Sequence, residues 1–183
     1  MKNSLCFRCF LLLSIIYFFC FSGCRKKNIN DIQGLPPATQ QGKHTLGFLL
    51  NGEPWIPKGF NGTSNLTIDL DPGIDDGIFT ISSYRILSGT NREYFGFGIK
   101  DSLNFITSGK SFQLGVGTLF GVYFSYPDCM LDYFDSAIVR TGSMTISKYD
   151  KQNRIISGTF NATLVKAGCK EIKITEGRFD MKF

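Results

Sequence analysis

Beyond residue 44, apolar side chains recur at every second position along most of the chain. Leu46, Phe48 and Leu50 show the pattern first, and similar runs follow as far as the C-terminus. A period of two is typical of β-strands with one buried and one exposed face, whereas a helix repeats every 3.6 residues. Short turn sequences such as Asn51-Gly52 separate the runs. Since no stretch has the length and period of a long helix, residues 44–183 are predicted to form one all-β domain.

About eight to ten short strands joined by tight turns favour a single antiparallel β-sandwich, with a lipocalin-like meander β-barrel as the alternative. In the last run the apolar positions change from even numbers, at Ile172 and Ile174, to odd numbers, at Phe179 and Phe183. A period of two cannot change parity without an extra residue. We therefore expect a β-bulge at Glu176–Gly177 and a buried Phe183.

The N-terminus has the composition of a bacterial lipoprotein signal peptide. The first eight residues carry two basic side chains and no acidic one, and residues 9–21 form an apolar run of 13. A stable membrane-spanning helix takes about 20 apolar residues, so this run suits a cleaved signal peptide better. Ser22 and Gly23 then precede Cys24, as small residues do in a lipobox. We expect cleavage after residues 1–23 and a diacylglyceryl group on Cys24, whose two acyl chains, such as palmitate, suffice for anchoring.

Residues 24–43 are expected to form the lipidated cysteine and a flexible tether, because they are rich in Asn, Gln and Gly and have no apolar period. The formal net charge is +5, but from residue 44 onward the chain has 14 basic and 14 acidic side chains. The domain therefore lacks the basic excess that nucleic-acid binding requires. The predicted partner is a membrane, reached through the lipid on Cys24, and the predicted location is the cell envelope.

Of the six cysteines in the sequence, two are expected to have a free thiol available for pairing in the mature chain. Three lie in the leader and Cys24 is expected to carry lipid, which leaves Cys129 and Cys169. Two thiols in an oxidising compartment usually pair, so we expect a disulfide between them, with two buried free thiols as the alternative. His44 is the single histidine, which makes a zinc site or a histidine-dependent catalytic site poorly supported.

Aromatic side chains give the best candidates for ligand binding. Tyr126, Tyr133 and Phe134 lie in the irregular segment 126–135, and Trp55 lies between two prolines. Aromatic rings stack on sugars or hold peptides, and binding residues are often found on loops. The alternative for each ring is a place in the hydrophobic core.

Acidic and hydroxyl side chains give weaker candidates. A calcium site is one interpretation of the acidic segment 69–77, although acids beside Pro-Gly are also ordinary turn residues; its acids are Asp69, Asp71, Asp75 and Asp76. A carboxylate pair for glycoside hydrolysis would have to come from a second acidic group, Asp128, Asp132 and Asp135. Ser102 and Ser136 each follow an Asp in a short pattern like a Bacteroidota O-glycosylation site.

Three segments together resemble a family of Bacteroidota lipoproteins that carry a domain of unknown function. They are LPPATQQGKHTLGFLLNGEPW at 35–55, MTISKYDKQNRIISGTF at 144–160 and ITEGRFDMKF at 174–183. The resemblance implies a periplasmic or outer-membrane lipoprotein of a Gram-negative cell, and it implies no activity. Phe48 stands where that family often has a cysteine, so no cysteine pairing is carried over from it.

These observations favour a membrane-anchored envelope lipoprotein with a non-catalytic binding or structural β domain, whose ligand would be a glycan, a peptide or a protein. A small-ligand carrier with an internal barrel cavity is one alternative, and an enzyme of unfamiliar type is another. No cofactor is expected, because the Gly-x-Gly sequences at 96–98 and 115–117 lie on apparent strands without a following helix.

Overall fold

The computed structural model describes residue 32 and residues 34–74, 76–100, 103–115 and 120–183. These residues form eleven strands and one short 3-10 helix at Leu103–Phe105, so the predicted all-β fold is confirmed. The strands are β1 Thr45–Leu50, β2 Glu53–Trp55, β3 Leu66–Asp71, β4 Ile78–Ser88, β5 Asn91–Ile99, β6 Ser111–Leu114, β7 Phe120–Tyr126, β8 Cys129–Leu131, β9 Val139–Asp150, β10 Ile155–Val165 and β11 Ile172–Lys182.

All eleven strands belong to one sheet, in the order β2-β1-β11-β10-β9-β6-β7-β5-β4-β3, with β8 paired to β7. Every pairing is antiparallel except β6 with β7. The two halves of the sheet face each other: the Phe97 and Phe160 rings lie 4.7 Å apart and the Phe48 and Phe95 rings 4.5 Å apart. The sheet is not closed, which fits a sandwich-like domain and not the meander barrel.

The core between the two halves of the sheet consists mainly of phenylalanine rings. Because side chains alternate along each strand, every second residue points inward. Nine buried phenylalanines of the described residues contribute, namely Phe48, Phe79, Phe95, Phe97, Phe112, Phe120, Phe124, Phe160 and Phe179. Neighbouring rings meet in stacked, tilted and edge-to-face arrangements. Burying such rings is the main term that stabilises a domain of this kind.

The predicted bulge in β11 is confirmed. Phe160 of β10 pairs with Gly177 and Ala162 with Ile174, so two residues of β11 face one residue of β10. Within the bulge Glu176, and not Gly177, takes a left-handed conformation, with a φ of 54°. Gly177 is required for another reason, since a Cβ there would lie 2.5 Å from the Phe160 carbonyl oxygen.

The C-terminal residue, Phe183, is less buried than the alternation of apolar residues in β11 predicts. Phe183 is half-buried, with its ring 5.9 Å from that of Tyr149, because β11 ends at Lys182 and leaves Phe183 at the rim of the core. Phe179 and Met181, by contrast, are buried as expected.

The last residues of the predicted tether pack against the domain around one carboxylate. Asp180 of β11 is only 1% exposed. It accepts hydrogen bonds from the backbone N–H groups of Gly42 (2.7 Å), Gln41 (3.0 Å) and Lys43 (3.2 Å), and from the hydroxyls of Ser157 and Thr39. We call this arrangement the Asp180 clamp. The packed body of the protein therefore includes residues 39–43, ahead of the predicted boundary at residue 44.

Candidate functional site

The outward face of β5 and β7 carries a groove whose floor is made of glycines. Phe95, Phe97 and Ile99 point into the core, so Gly96 and Gly98 face outward. Gly98 pairs with Gly121 on β7. Because these positions have no side chains, the sheet surface is recessed, and the recess has a volume of about 320 Å³. We call it the glycine groove.

Side chains of three elements form the walls of the glycine groove. The β4 wall consists of Ile78, Thr80 and Ser82, and the opposite wall consists of Tyr123 and Tyr133. Tyr123 is on β7 and pairs with Gly96. Tyr133 comes from the loop after β8 and lies directly over Gly121, where a Cβ would be 2.4 Å from its ring. The lining is therefore mostly apolar and aromatic, and it includes one basic residue, Lys100.

The floor glycines differ in how strictly the fold requires them. A Cβ at Gly98 would lie 2.4 Å from the Phe79 carbonyl oxygen, so a larger residue does not fit. At Gly96 the nearest atom to a Cβ would be the Ile81 carbonyl oxygen at 3.3 Å, which small shifts can accommodate. Close packing therefore requires a glycine at position 98 but less strictly at position 96. The space above Gly96 is available to a ligand.

The three aromatic candidates of segment 126–135 have different surroundings in the structure. Tyr133 lines the glycine groove. Phe134 is 88% exposed and its ring lies 5.0 Å from that of Tyr133, beside the groove wall. Tyr126 packs against the core, and its hydroxyl accepts a hydrogen bond from the Lys170 backbone N–H at 2.7 Å, so it has a structural role.

The predicted disulfide between Cys129 and Cys169 is present, with the two Cα atoms 6.0 Å apart. It ties the β8 hairpin to the loop between β10 and β11. An ion pair between Lys166 and Asp135, at 2.9 Å, joins the same two segments. The Lys166 amino group hydrogen-bonds the Asp135 carboxylate and lowers its pKa. These links fix the loop that carries Tyr133.

Trp55 is a core residue and is not exposed to a ligand. Its ring is fully buried and stacks on Phe48 at 4.7 Å. The indole N–H donates to the Glu93 carboxylate at 2.8 Å, and Glu93 also pairs with Arg85 at 2.6 Å. The polar end of the indole is therefore satisfied inside the protein, as buried tryptophans require.

The remaining candidates are not brought together into a site. Among the residues that the structure describes, no group of three or more His, Cys, Asp or Glu side chains is placed to hold a metal ion. Asp71 accepts a hydrogen bond from the Gly73 backbone N–H at 2.8 Å, which is the turn role considered above. His44 contacts the Leu66 carbonyl at 3.2 Å. Ser136 is exposed, whereas Cys24, Asp75 and Ser102 lie outside the described residues.

Comparison with known proteins gives no family assignment. No protein-family model, curated protein or solved structure matches the chain. In the part of the chain that the structure describes, no helix is both long enough and apolar enough to cross a membrane. The function must therefore be argued from the site itself.

Sequence reasoning found Tyr133 but missed the glycine groove. The alternation of Phe95, Gly96, Phe97 and Gly98 is visible in the sequence, and it places the glycines on the outer face. What the sequence does not give is the strand register that sets Gly121 beside Gly98.

Proposed function

We propose that the protein is a lipid-anchored module of the bacterial cell envelope whose β domain binds a glycan, without catalysis, in the glycine groove. The observation that carries this proposal is the recessed floor at Gly96 and Gly98 between the Tyr123 and Tyr133 walls. A flat floor beside aromatic walls suits a sugar ring, whose apolar face stacks on an aromatic side chain.

The size and chemistry of the glycine groove support a small, weakly charged ligand. Ligand sites in proteins usually measure about 300–1,000 Å³, so 320 Å³ is enough for one or two rings. The lining is mainly apolar, and its polar residues include Thr80, Ser82 and Lys100. These groups suit hydroxyl-rich ligands better than an acidic or basic peptide.

The two alternative functions have less support. A carrier needs an internal apolar cavity, but phenylalanine rings occupy the space between the two halves of the sheet. An enzyme needs convergent titratable groups, and the ionisable groups among the described residues of the glycine groove are one lysine and two tyrosines. Binding without catalysis is therefore the function that the groove supports best.

We expect replacement of Tyr133 by Ala to weaken glycan binding about tenfold or more, which corresponds to about 1.4 kcal/mol, because it removes one aromatic wall. The purified protein would be screened on an array of bacterial envelope polysaccharides. The affinity for the strongest binder would then be measured by calorimetry.

The matched control is Tyr94→Ala. Tyr94 lies on the same outward face of β5, is partly exposed, and does not line the groove. Its loss should leave the affinity unchanged. The absence of any glycan binding by the unaltered protein, or equal affinities of both variants, would contradict the proposal.

The membrane anchor gives a second test. Cys24→Ala should abolish incorporation of radioactive palmitate and release the protein from the outer-membrane fraction, because the thiol that accepts the diacylglyceryl group is gone. Cys20→Ala is the matched control, since Cys20 lies within the predicted leader. Continued labelling of the Cys24 variant would remove the anchor from the proposal.

A further inference from the structure

One end of the domain exposes apolar side chains on two neighbouring segments. Residues 56–65 follow β2, and residues 86–92 comprise the end of β4, the turn at 89–90 and the start of β5. Phe60 is 77% exposed, and Leu87 and Ile56 are also exposed. We call these two segments the apolar tip. A phenylalanine ring as exposed as that of Phe60 loses the benefit of burial.

Hydrogen bonds hold the two segments of the apolar tip together. Lys58 forms a parallel bridge with Arg85, in which the Ile86 N–H donates to the Lys58 carbonyl at 2.9 Å. The Tyr84 hydroxyl donates to the Thr63 carbonyl at 2.7 Å and accepts from the Asn61 N–H at 3.2 Å. The loop that carries Phe60 is therefore braced on both sides of that residue.

The charges of the apolar tip differ from those of the opposite end of β4. Neither tip segment contains Asp or Glu, and they contribute the cations Lys58 and Arg92. At the other end of β4, about 30 Å away at about 3.3 Å per residue, β3 and the turn that follows it contain Asp69, Asp71 and Asp76. The apolar tip therefore combines exposed apolar groups with positive charge, the combination that binds an anionic lipid surface, whereas the opposite end of β4 is acidic.

The chain enters the domain beside the apolar tip. Gly34 lies against Pro54, and Pro36 lies against Gly47 on the side where Gly47 also meets Ile56. Ten residues separate Gly34 from Cys24, which allows a reach of about 35 Å. A lipid on Cys24 would thus keep the domain within about that distance of the bilayer, on the side where residues 54–60 begin.

We propose that the apolar tip rests on an anionic bilayer, with Phe60 and Leu87 at the level of the head groups and Lys58 and Arg92 near the phosphates. This inference rests on the proposed lipid anchor at Cys24. It orients the domain so that the opposite end of β4, with Asp71 and Asp76, lies away from the membrane.

The test uses the full acylated protein in vesicles of phosphatidylethanolamine and phosphatidylglycerol, a fraction of which carries brominated acyl chains. A new tryptophan at the tip, Phe60→Trp, would report its depth by fluorescence quenching. Phe105→Trp is the matched control, because Phe105 is 63% exposed and belongs to the short 3-10 helix whose Leu103 N–H donates to the Gly77 carbonyl, at the opposite end of β4. The native Trp55 contributes equally to both variants because it is buried in both.

We expect bromine to quench the added fluorescence of Phe60→Trp at least twofold, and to leave that of Phe105→Trp unchanged. Flotation of the protein with the vesicles measures binding through the lipid anchor, independently of where the apolar tip lies. Protein that floats without quenching at residue 60 would overturn the orientation and leave the anchor intact, and so would cross-linking of Phe60 to a second copy of the chain. Protein that does not float would refute both proposals.

Discussion

Replacing Asp180 by Ala is expected to lower the free energy of unfolding by at least about 3 kcal/mol. The Asp180 clamp contains five hydrogen bonds to one buried carboxylate, and a hydrogen bond to a charged group contributes about 1.5–3 kcal/mol. The substitution also leaves the buried Ser157 hydroxyl and three backbone N–H groups without their acceptor. Urea unfolding followed by circular dichroism would measure the loss.

Asp150→Ala is the matched control for the clamp. Asp150 accepts hydrogen bonds from Asn153 and pairs with Lys148, but these contacts lie in the turn between β9 and β10. We expect that substitution to cost less than about 1 kcal/mol, as surface interactions usually do. Equal losses for the two variants would show that the clamp adds nothing beyond an ordinary turn carboxylate.

The Asp180 clamp also sets a dependence of stability on pH. Burial alone would raise the pKa of Asp180, but hydrogen bonds from Thr39, Ser157 and the backbone amides of Gln41 and Gly42 together lower it to about 2, from 3.8. A depressed pKa in the folded state stabilises the protein above pH 3.8, and this contribution is lost as the pH falls towards 2. It amounts to about 2 kcal/mol, because one pKa unit corresponds to 1.36 kcal/mol.

This pH effect is measured as a difference between proteins. Hydrogen bonds to Lys166 and Asn153 also lower the pKa values of Asp135 and Asp150 respectively, so these two groups add to the dependence of stability on pH. Subtracting the unfolding curve of Asp180→Ala from that of the unaltered protein isolates the clamp. A difference that stays constant between pH 6 and pH 2.5 would contradict the assignment.

The clamp illustrates what sequence alone could not predict. Parity places Asp180 on the outer face of β11, between the buried Phe179 and Met181, where an aspartate would ordinarily be solvated. Its partners at residues 39–43 lie about 140 positions away in sequence. No local pattern marks such a contact, so the segment before residue 44 was expected to be flexible on composition alone.

Features that depend on short-range rules were predicted correctly. Asn51 and Gly52 have φ values of 51° and 91°, as the Asn-Gly hairpin rule requires. The change of parity in β11 correctly located the bulge at Glu176. The groove, in contrast, depends on the register that aligns Gly98 with Gly121, and register between strands is set by the whole fold.

Removing the disulfide is expected to lower the free energy of unfolding by about 4 kcal/mol. Cys129 and Cys169 are separated by 40 residues, and in the chain-entropy model a cross-link of this span restricts the unfolded chain by about that amount. The double variant Cys129→Ala, Cys169→Ala avoids leaving a lone reactive thiol. Urea unfolding under non-reducing conditions measures the loss.

The same variant tests whether the disulfide positions the groove wall. Tyr133 follows Cys129 by four residues. Without the disulfide, the β7–β8 hairpin and the loop after it are still linked to the β10–β11 segment by the Asp135–Lys166 ion pair, by the hydrogen bond from Lys166 to the Met130 carbonyl, and by the bond from the Lys170 N–H to the Tyr126 hydroxyl. If these links alone hold Tyr133 in place, the folded double variant will keep the glycan affinity of the unaltered protein. We expect instead a several-fold loss, because a surface ion pair contributes only about 0–1 kcal/mol.

Reduction provides the control for both effects of the disulfide. Dithiothreitol should shift the unfolding midpoint of the unaltered protein to that of the double variant, and should leave the double variant unchanged. Because the linked segments both lie beside the Tyr133 loop, the loss of stability and the loss of affinity should appear together. A stable reduced protein with weakened binding would mean that the disulfide acts on the loop alone, whereas an unchanged midpoint would show that it adds no stability.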